Sequence, residues 1–414
     1  MPEMKDSGIE WVGLCPNHWG IMANKYIMKK IKVINPVYKG EDILSLTMNG
    51  VIVRDLDAGG KMPASFDGYQ VLYPGNLLMC LFDYDVTPRC IGLIKDEGVS
   101  SPAYSQFVLK NGNDAKYYYY YYLMIDNTKE LLHLAKNLRH SFTEEQLGSI
   151  NAPVPPMEEQ MKIAAFLDKV CGEIDTLSVD IQAEIDTLEE YKRSVITEAV
   201  TKGLNTDVEL VDTGHTFIPY VPINWEFTKA GRLFVEDVRS AVGSEQPLSL
   251  SQKDGLVKTE DMVEHSMKSK TYSGWKKVRK NDLVLNRFKA HLGVFFCSKY
   301  DGMVSFHYGV YAPKYDLNVK FYEYLFHSKP YCDMYAELSN GITVGLQNLS
   351  NANFYAGKCV RPPKQEQDRI VEYLDEKCKQ IEKTISMKQE QLTILEEYKK
   401  SVIYEYVTGK KEVV

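Results

Sequence analysis

The sequence predicts an α+β protein: two globular domains of mixed strands and helices, joined by two long helices packed as an antiparallel coiled coil, with an internal pseudo-two-fold repeat. Three observations predict it. The 414 residues suffice for two or three domains with their own cores. A motif recurs at an offset of 207 residues. Behind each copy of that motif, apolar residues fall at seven-residue spacing over about thirty positions, with one interruption in the second copy.

The repeat is clearest where Pro155-Pro156-Met157-Glu158-Glu159-Gln160 reappears as Pro362-Pro363-Lys364-Gln365-Glu366-Gln367. The same offset carries Ile163 onto Ile370, Leu167-Asp168 onto Leu374-Asp375, Cys171 onto Cys378 and Ile174 onto Ile381. It closes with Leu188-Glu189-Glu190-Tyr191-Lys192-Arg193-Ser194-Val195-Ile196 against Leu395-Glu396-Glu397-Tyr398-Lys399-Lys400-Ser401-Val402-Ile403. Upstream the match thins: Asp6-Ser7-Gly8, Pro16 and Trp19 answer Asp212-Thr213-Gly214, Pro222 and Trp225. The boundaries that follow are 1–155 and 205–362 for the globular parts, and 156–204 and 363–410 for the helical spacers. Matched helices beside divergent globular parts suit one scaffold carrying two different readers. Drift, with heptads kept by packing alone, is the alternative.

In the first spacer Leu167, Ile174, Ile181, Leu188 and Val195 mark the seam, with Ile163, Val170 and Leu177 in its second position. In the second, Leu374, Ile381, Leu395 and Val402 lie on a similar stripe that Lys388 and Gln391 interrupt. Prolines precede each helix, where a missing N–H costs nothing, and neither helix contains one. A rod of roughly 65–70 Å results at 1.5 Å per residue. One such helix cannot bury its stripe alone, so the two copies are expected to pack on each other. The globular parts read as short strands at Val51–Val53, Leu77–Phe82 and Leu283–Asn286. Tyr121–Leu123 and Phe321–Phe326 read as the starts of helices facing the core. The six consecutive tyrosines, 117–122, point in all directions and read as packing rather than as a stacking surface.

Composition narrows the function. Charged residues make up 25% and apolar residues 44%, the balance of a folded soluble chain. No apolar run reaches the roughly 18 residues of a membrane span, and the N-terminus lacks a signal-peptide core. The eight cysteines form no C-x-x-C pair, so reduced thiols and a cytoplasmic location are expected. The net charge of −7 is concentrated in the two helical segments, leaving the rest slightly positive and free to face phosphates. No phosphate-binding P-loop, G-x-G dinucleotide loop or H-E-x-x-H is present. His291 and His307 read as structural, and no catalytic residue, metal ligand or resident cofactor is expected.

What remains is a DNA-reading composition. Lys268, Lys270, Lys276, Lys277, Arg279, Lys280, Arg287, Lys289 and Lys299 lie in one stretch with Tyr272 and Trp275 interleaved. Lys and Arg neutralise phosphates, and Arg can also read base edges. Arg54, Lys61 and Arg89, with Lys25, Lys29, Lys30 and Lys32, are the sparser candidates of the first copy. A plain solvated surface is the alternative for any one lysine.

Taken together, Asp-Ser/Thr-Gly with a downstream Pro-x-x-Trp, Pro-Pro-x-x-Glu-Gln-x-x-Ile-x-x-x-Leu-Asp opening each helix, and the Leu-Glu-Glu-Tyr-Lys close resemble the specificity subunit of type I restriction-modification systems. Gly345-Leu346-Gln347-Asn348-Leu349 belongs to the same pattern. The first copy departs from it, reading Phe142-Thr143-Glu144-Glu145-Gln146-Leu147 there. The resemblance implies two target recognition domains that each bind half of a bipartite duplex DNA target, and helices that set the spacing and dock two methyltransferase subunits. Restriction subunits would join that core. S-adenosylmethionine, ATP and Mg would belong to the partners, and this chain would be non-catalytic. The competing expectations are a coiled-coil scaffold that never meets DNA, and a methyltransferase or nuclease with unfamiliar motifs.

Overall fold

The computed structural model describes residues 3–57, 63–110, 112–135, 140–251, 255–262, 272–340 and 347–413. The chain forms two compact units, Met1–Ile181 with Glu390–Val414, and Gln182–Gln389. The cuts run through the two long helices rather than at their ends. The first long helix spans Met157–Lys202 and the second Lys364–Val407, each without a break. In the unit containing residue 1, the early part of the first helix packs on the late part of the second. In the other unit the late part of the first packs on the early part of the second.

In the first unit a four-stranded antiparallel sheet runs Met28–Ile31, Ser105–Leu109, Leu77–Met79, Ile91–Leu93. In the second unit the sheet runs Phe234–Glu236, Tyr308–Pro313, Leu283–Asn286, Phe295–Cys297, also antiparallel and with the equivalent strands in the same order. Each unit adds a hairpin, Leu44–Thr47 with Gly50–Val53 or Leu248–Ser251 with Gly255–Lys258. Each also opens on a small hairpin built over the Asp-x-Gly motif. The Asp6 and Asp212 carboxylates accept the N–H of Gly8 at 2.9 Å and of Gly214 at 2.8 Å. Both glycines sit near φ +67°, which a side chain would resist.

The expected strand Leu77–Phe82 ends at Met79, because the chain then turns away and Asp83 takes a positive φ. The tyrosine run forms one helix, Ala115–Thr128, capped by Asp114, whose carboxylate accepts the Tyr117 N–H at 2.8 Å. Tyr117, Tyr118, Tyr120, Tyr121 and Tyr122 are buried. Their hydroxyls reach the Val407 carbonyl, the Pro153 carbonyl, Asp168, the Trp11 indole N–H and Asn24 respectively. A buried tyrosine usually finds a partner for its hydroxyl, as these five do.

The helix-opening motif has a structural meaning in each unit. Gln160 Oε1 accepts the Asp114 N–H at 2.8 Å while its Nε2 donates to the Pro155 carbonyl at 2.8 Å. Gln367 does the same with Asn318 N–H at 2.9 Å and the Pro362 carbonyl at 2.7 Å. Five residues past the motif isoleucine, Asp168 accepts from Tyr120 and Lys116, and Asp375 from Tyr324 and Lys320. Glu159 accepts the Trp19 indole N–H at 2.8 Å.

Of the seam residues, Leu167, Ile174, Ile181, Leu374, Ile381 and Val402 are buried, and Leu188, Val195 and Leu395 are half-buried. Leu177, expected in the seam, is exposed, and Ile185 is buried further along. A straight helix drifts about 20° per heptad, which turns a strict seven-residue stripe away from its partner. Lys388 interrupts the stripe only on paper: its ammonium pairs with Glu184 of the facing helix. Lys192 and Glu382 pair at 2.5 Å in the same unit, and Asp175 and Lys399 at 2.5 Å in the other. Within each unit partner numbers fall on one helix as they rise on the other, so the pairing is antiparallel. Among the described residues no helix is long and apolar enough to cross a membrane. None of them form a group of three His, Cys, Asp or Glu able to hold a metal.

Candidate nucleic-acid interface

The basic stretch of the second unit divides into inward and outward cations. Glu236, at the end of the edge strand Phe234–Glu236, is the acid that divides them. Its Oε1 takes Lys276 Nζ at 3.0 Å and Arg287 Nη2 at 2.7 Å, and its Oε2 takes the Asn351 amide. Lys276 also donates to the Tyr308 carbonyl at 3.0 Å. Two cations on one carboxylate leave the place net positive, but both side chains are mostly covered and hold the sheet end together. Lys277 lies 3.6 Å from Glu245 and is half-exposed. Arg279, Lys280, Lys289 and Lys299 are exposed.

Backbone geometry fixes where these outward cations stand. The Asp282 carboxylate accepts the Arg279 N–H at 2.7 Å and closes the turn before strand Leu283–Asn286. Burial pushes the Asp282 carboxyl up to about 6, despite that N–H and the guanidinium groups of Arg239 and Arg279. Lys289 rides on a short 3-10 turn, Arg287–Leu292, whose first free N–H, that of Phe288, is accepted by Asn286 Oδ1 at 3.1 Å. Lys268 and Lys270 lie outside the described residues, as do Lys61 of the first copy and Gly345 and Leu346 of the second.

In the first unit Arg89 faces the protein. Its Nη1 lies 3.0 Å from Asn127 Oδ1 and 3.4 Å from Asp126 Oδ2, at the end of the tyrosine helix. Asp126 is itself buried and also holds Lys129 at 2.7 Å. The Arg89 side chain is thus mostly covered and held by the end of that helix. Arg54 is half-buried beyond strand Gly50–Val53, and Lys32 is exposed, donating to the Pro102 carbonyl at 3.1 Å.

Two features escaped the linear reading. Glu236 is forty and fifty-one residues from the cations it binds, so nothing local marks it. His307, expected to be structural, is exposed beside Phe288 and Phe306. Phe288 lying between Arg287 and Lys289 was the available signal.

Residues 90–187 match the family model for the type I restriction modification DNA specificity domain. The match takes in the tyrosine helix, the helix-opening motif and the first thirty-one residues of the first long helix. Over that quarter of its length the chain is similar to type I specificity subunits. A 115-residue stretch is 28% identical to a Methanocaldococcus jannaschii protein assigned as the type I restriction enzyme MjaX specificity subunit. That match covers 28% of this chain and 25% of the relative's length.

Two solved structures are similar to this chain in fold. One is a chain from a study of complex assembly and conformational transition of the type I restriction-modification system. It has a TM-score of 0.69 and 14% identity, over 96% of this chain and 99% of its own. The other is the HsdS subunit from Thermoanaerobacter tengcongensis, with a TM-score of 0.52 and 13% identity, over 96% of this chain and 98% of its own. At such identities the likeness is one of fold: mixed strands and helices with two long helices are what this chain shares with them.

Proposed function

We propose that this chain is the DNA-reading subunit of a type I restriction-modification complex. In this reading each unit binds one half of a bipartite duplex target, and the helix pair serves as the spacer between half-sites. The observation that carries the reading is that the two units build the same strand order around different loops. A protein module reads only a few base pairs, so selectivity against a genome needs two half-sites. Lys268, Lys270, Lys277, Arg279 and Lys289, with Arg54 and Lys61, are the proposed phosphate and base contacts. Lys276, Arg287 and Arg89 are proposed to position the loops that carry them.

The partners in this reading are two methyltransferase subunits, seated along the helices, and restriction subunits. S-adenosylmethionine, ATP and Mg enter with those partners, base flipping and methyl transfer occur there, and the complex works in the cytoplasm. Tyr191 and Tyr398, repeat equivalents that are 47% and 54% exposed, support docking on the helices. Packing of the seam does not require a repeated exposed tyrosine. A scaffold that never meets DNA and an enzyme with unfamiliar motifs are not supported, since the family match is to a DNA specificity domain.

The test is methylome sequencing of a host carrying this chain with its methyltransferase, before and after residues 205–361 are exchanged for another reader. One half of the methylated sequence should change and the other half should persist. A change in both halves, or in neither, would refute independent readers. A salt titration gives the second arm. Neutralising Lys277, Arg279 and Lys289 should flatten the dependence of log affinity on log salt by up to about 0.9 per lost phosphate contact.

A further inference from the structure

In the second unit Phe288 and His307 stand 6.1 Å apart, and Phe306 lies 4.0 Å from His307. Phe288 follows strand Leu283–Asn286 and His307 precedes strand Tyr308–Pro313. These are the paired central strands, so antiparallel register brings both loops to one end of the sheet. In the first unit Phe82 and Tyr104 hold the equivalent places, stacked 6.0 Å apart with planes at 28°. They follow Leu77–Met79 and precede Ser105–Leu109. Both units therefore carry an aromatic pair at the same end of the sheet.

Packing accounts for the half-buried pair of the first unit. It does not account for the second, where Phe288 is 46%, Leu292 49% and Phe306 55% exposed. Apolar surface left in water forgoes about 25 cal/mol per Å² of burial, so a contiguous exposed group marks a binding surface. The loop presenting it is rigid. Asn286 caps it, the Leu349 N–H donates to the Arg287 carbonyl at 3.0 Å, and buried Ala290 anchors it. Gly293 closes it at φ +72°, where a Cβ would stand 3.1–3.3 Å from Cys332 Sγ, the His327 Cα and the Phe326 carbonyl. Exposed Lys289 lies between Phe288 and Leu292. The net positive Glu236 cluster lies at the base of the same loop through Arg287.

We infer that Phe288, Leu292, Phe306 and His307 form the base-contacting element of the second reader, with Lys289 on the adjoining phosphate. The occupant is duplex DNA, favoured by the cations that flank the apolar group. Phenyl and leucyl groups meet thymine methyls or wedge between base steps, and an imidazole hydrogen-bonds a base edge. This inference rests on the DNA-reading proposal and adds to it the residues that discriminate sequence rather than supply charge.

The test uses the full chain in complex with its methyltransferase and two duplexes, the methylome-derived target and a scrambled one. Phe288→Ala combined with Phe306→Ala should lower the target-over-scrambled affinity ratio about tenfold or more, as loss of one or two base contacts does. The salt slope and the affinity for the scrambled duplex should stay unchanged. Lys289→Ala should do the reverse, reducing the slope and sparing the ratio. Both aromatic side chains are exposed, so the variant should keep the wild-type thermal midpoint, and Phe306→Tyr should keep the ratio. An unchanged ratio in the double variant would overturn the inference while leaving the DNA-reading proposal standing. Loss of methyltransferase assembly with the ratio retained would assign the group to a protein partner and overturn it as well. A wild-type complex with no target preference would bring down both.

Discussion

Asp168 accepts the Tyr120 hydroxyl at 2.9 Å and, through its other oxygen, the Lys116 ammonium at 2.5 Å, joining the first long helix to the tyrosine helix. Asp375 takes Tyr324 at 2.6 Å and Lys320 at 2.7 Å in the second unit. Lysine and tyrosine stand four residues apart on one helix face in both cases, so a single carboxylate reaches both. The repeated Leu-Asp of the sequence is thus a docking contact between each globular part and its helix.

Gln160 and Gln367, one turn into the same helices, are fully buried with both amide atoms bonded. Gln160→Ala should destabilise the first unit by about 1–3 kcal/mol, because the Asp114 N–H and Pro155 carbonyl lose their partner. Gln367→Ala should do the same to the second. Calorimetry with proteolysis mapping would show which unit loosens; a stable variant would refute the role.

Ile174 and Ile381 are buried in the helix seam, and Lys388 reaches half-exposed across it to Glu184. Ile174→Asp with Ile381→Asp should cost more than about 3 kcal/mol, since each buries an unpaired charge, and under the proposed function should disrupt methyltransferase assembly. Lys388→Leu should be neutral or stabilising by up to about 1 kcal/mol, as an exposed ion pair contributes little. Denaturant midpoints decide both, and a strongly destabilised Lys388→Leu would mean that the ion pair sets the register.

His327 packs its ring 4.9 Å from Phe296, and burial pulls its pKa down to about 4. The folded form therefore binds fewer protons than the unfolded one between about 6.5 and 4. Its contribution is fully present above about pH 6.5 and is lost as pH falls through 4. Stability of His327→Phe relative to wild type should rise over that window on acidification. Parallel curves for the two proteins would place the histidine in solvent.

Tyr191→Ala with Tyr398→Ala should leave the thermal midpoint within about 1 °C, since both rings are largely exposed. Under the proposed function it should weaken methyltransferase binding at least about tenfold, as buried aromatic anchors dominate interfaces. Sedimentation of the mixed subunits reads this directly. Unaltered assembly would move the docking face elsewhere on the helices.

The long helices were legible in the sequence because their seam repeats and no proline or glycine pair interrupts it. The Leu177 position was not, because heptad arithmetic ignores the rotation of a real helix against its partner. The candidate site was legible as a count of cations. Which of them face solvent was not, since Glu236 and Asp126 come from distant segments.

Residue order alone, through its periodicity, determined the two long helices and the two globular parts that they follow. Folding decided which lysines and arginines are left outward and which loops share an end of each sheet. Charge neutralisation and exposure depend on what lies nearby in space, and antiparallel strands bring together segments that lie apart in the chain.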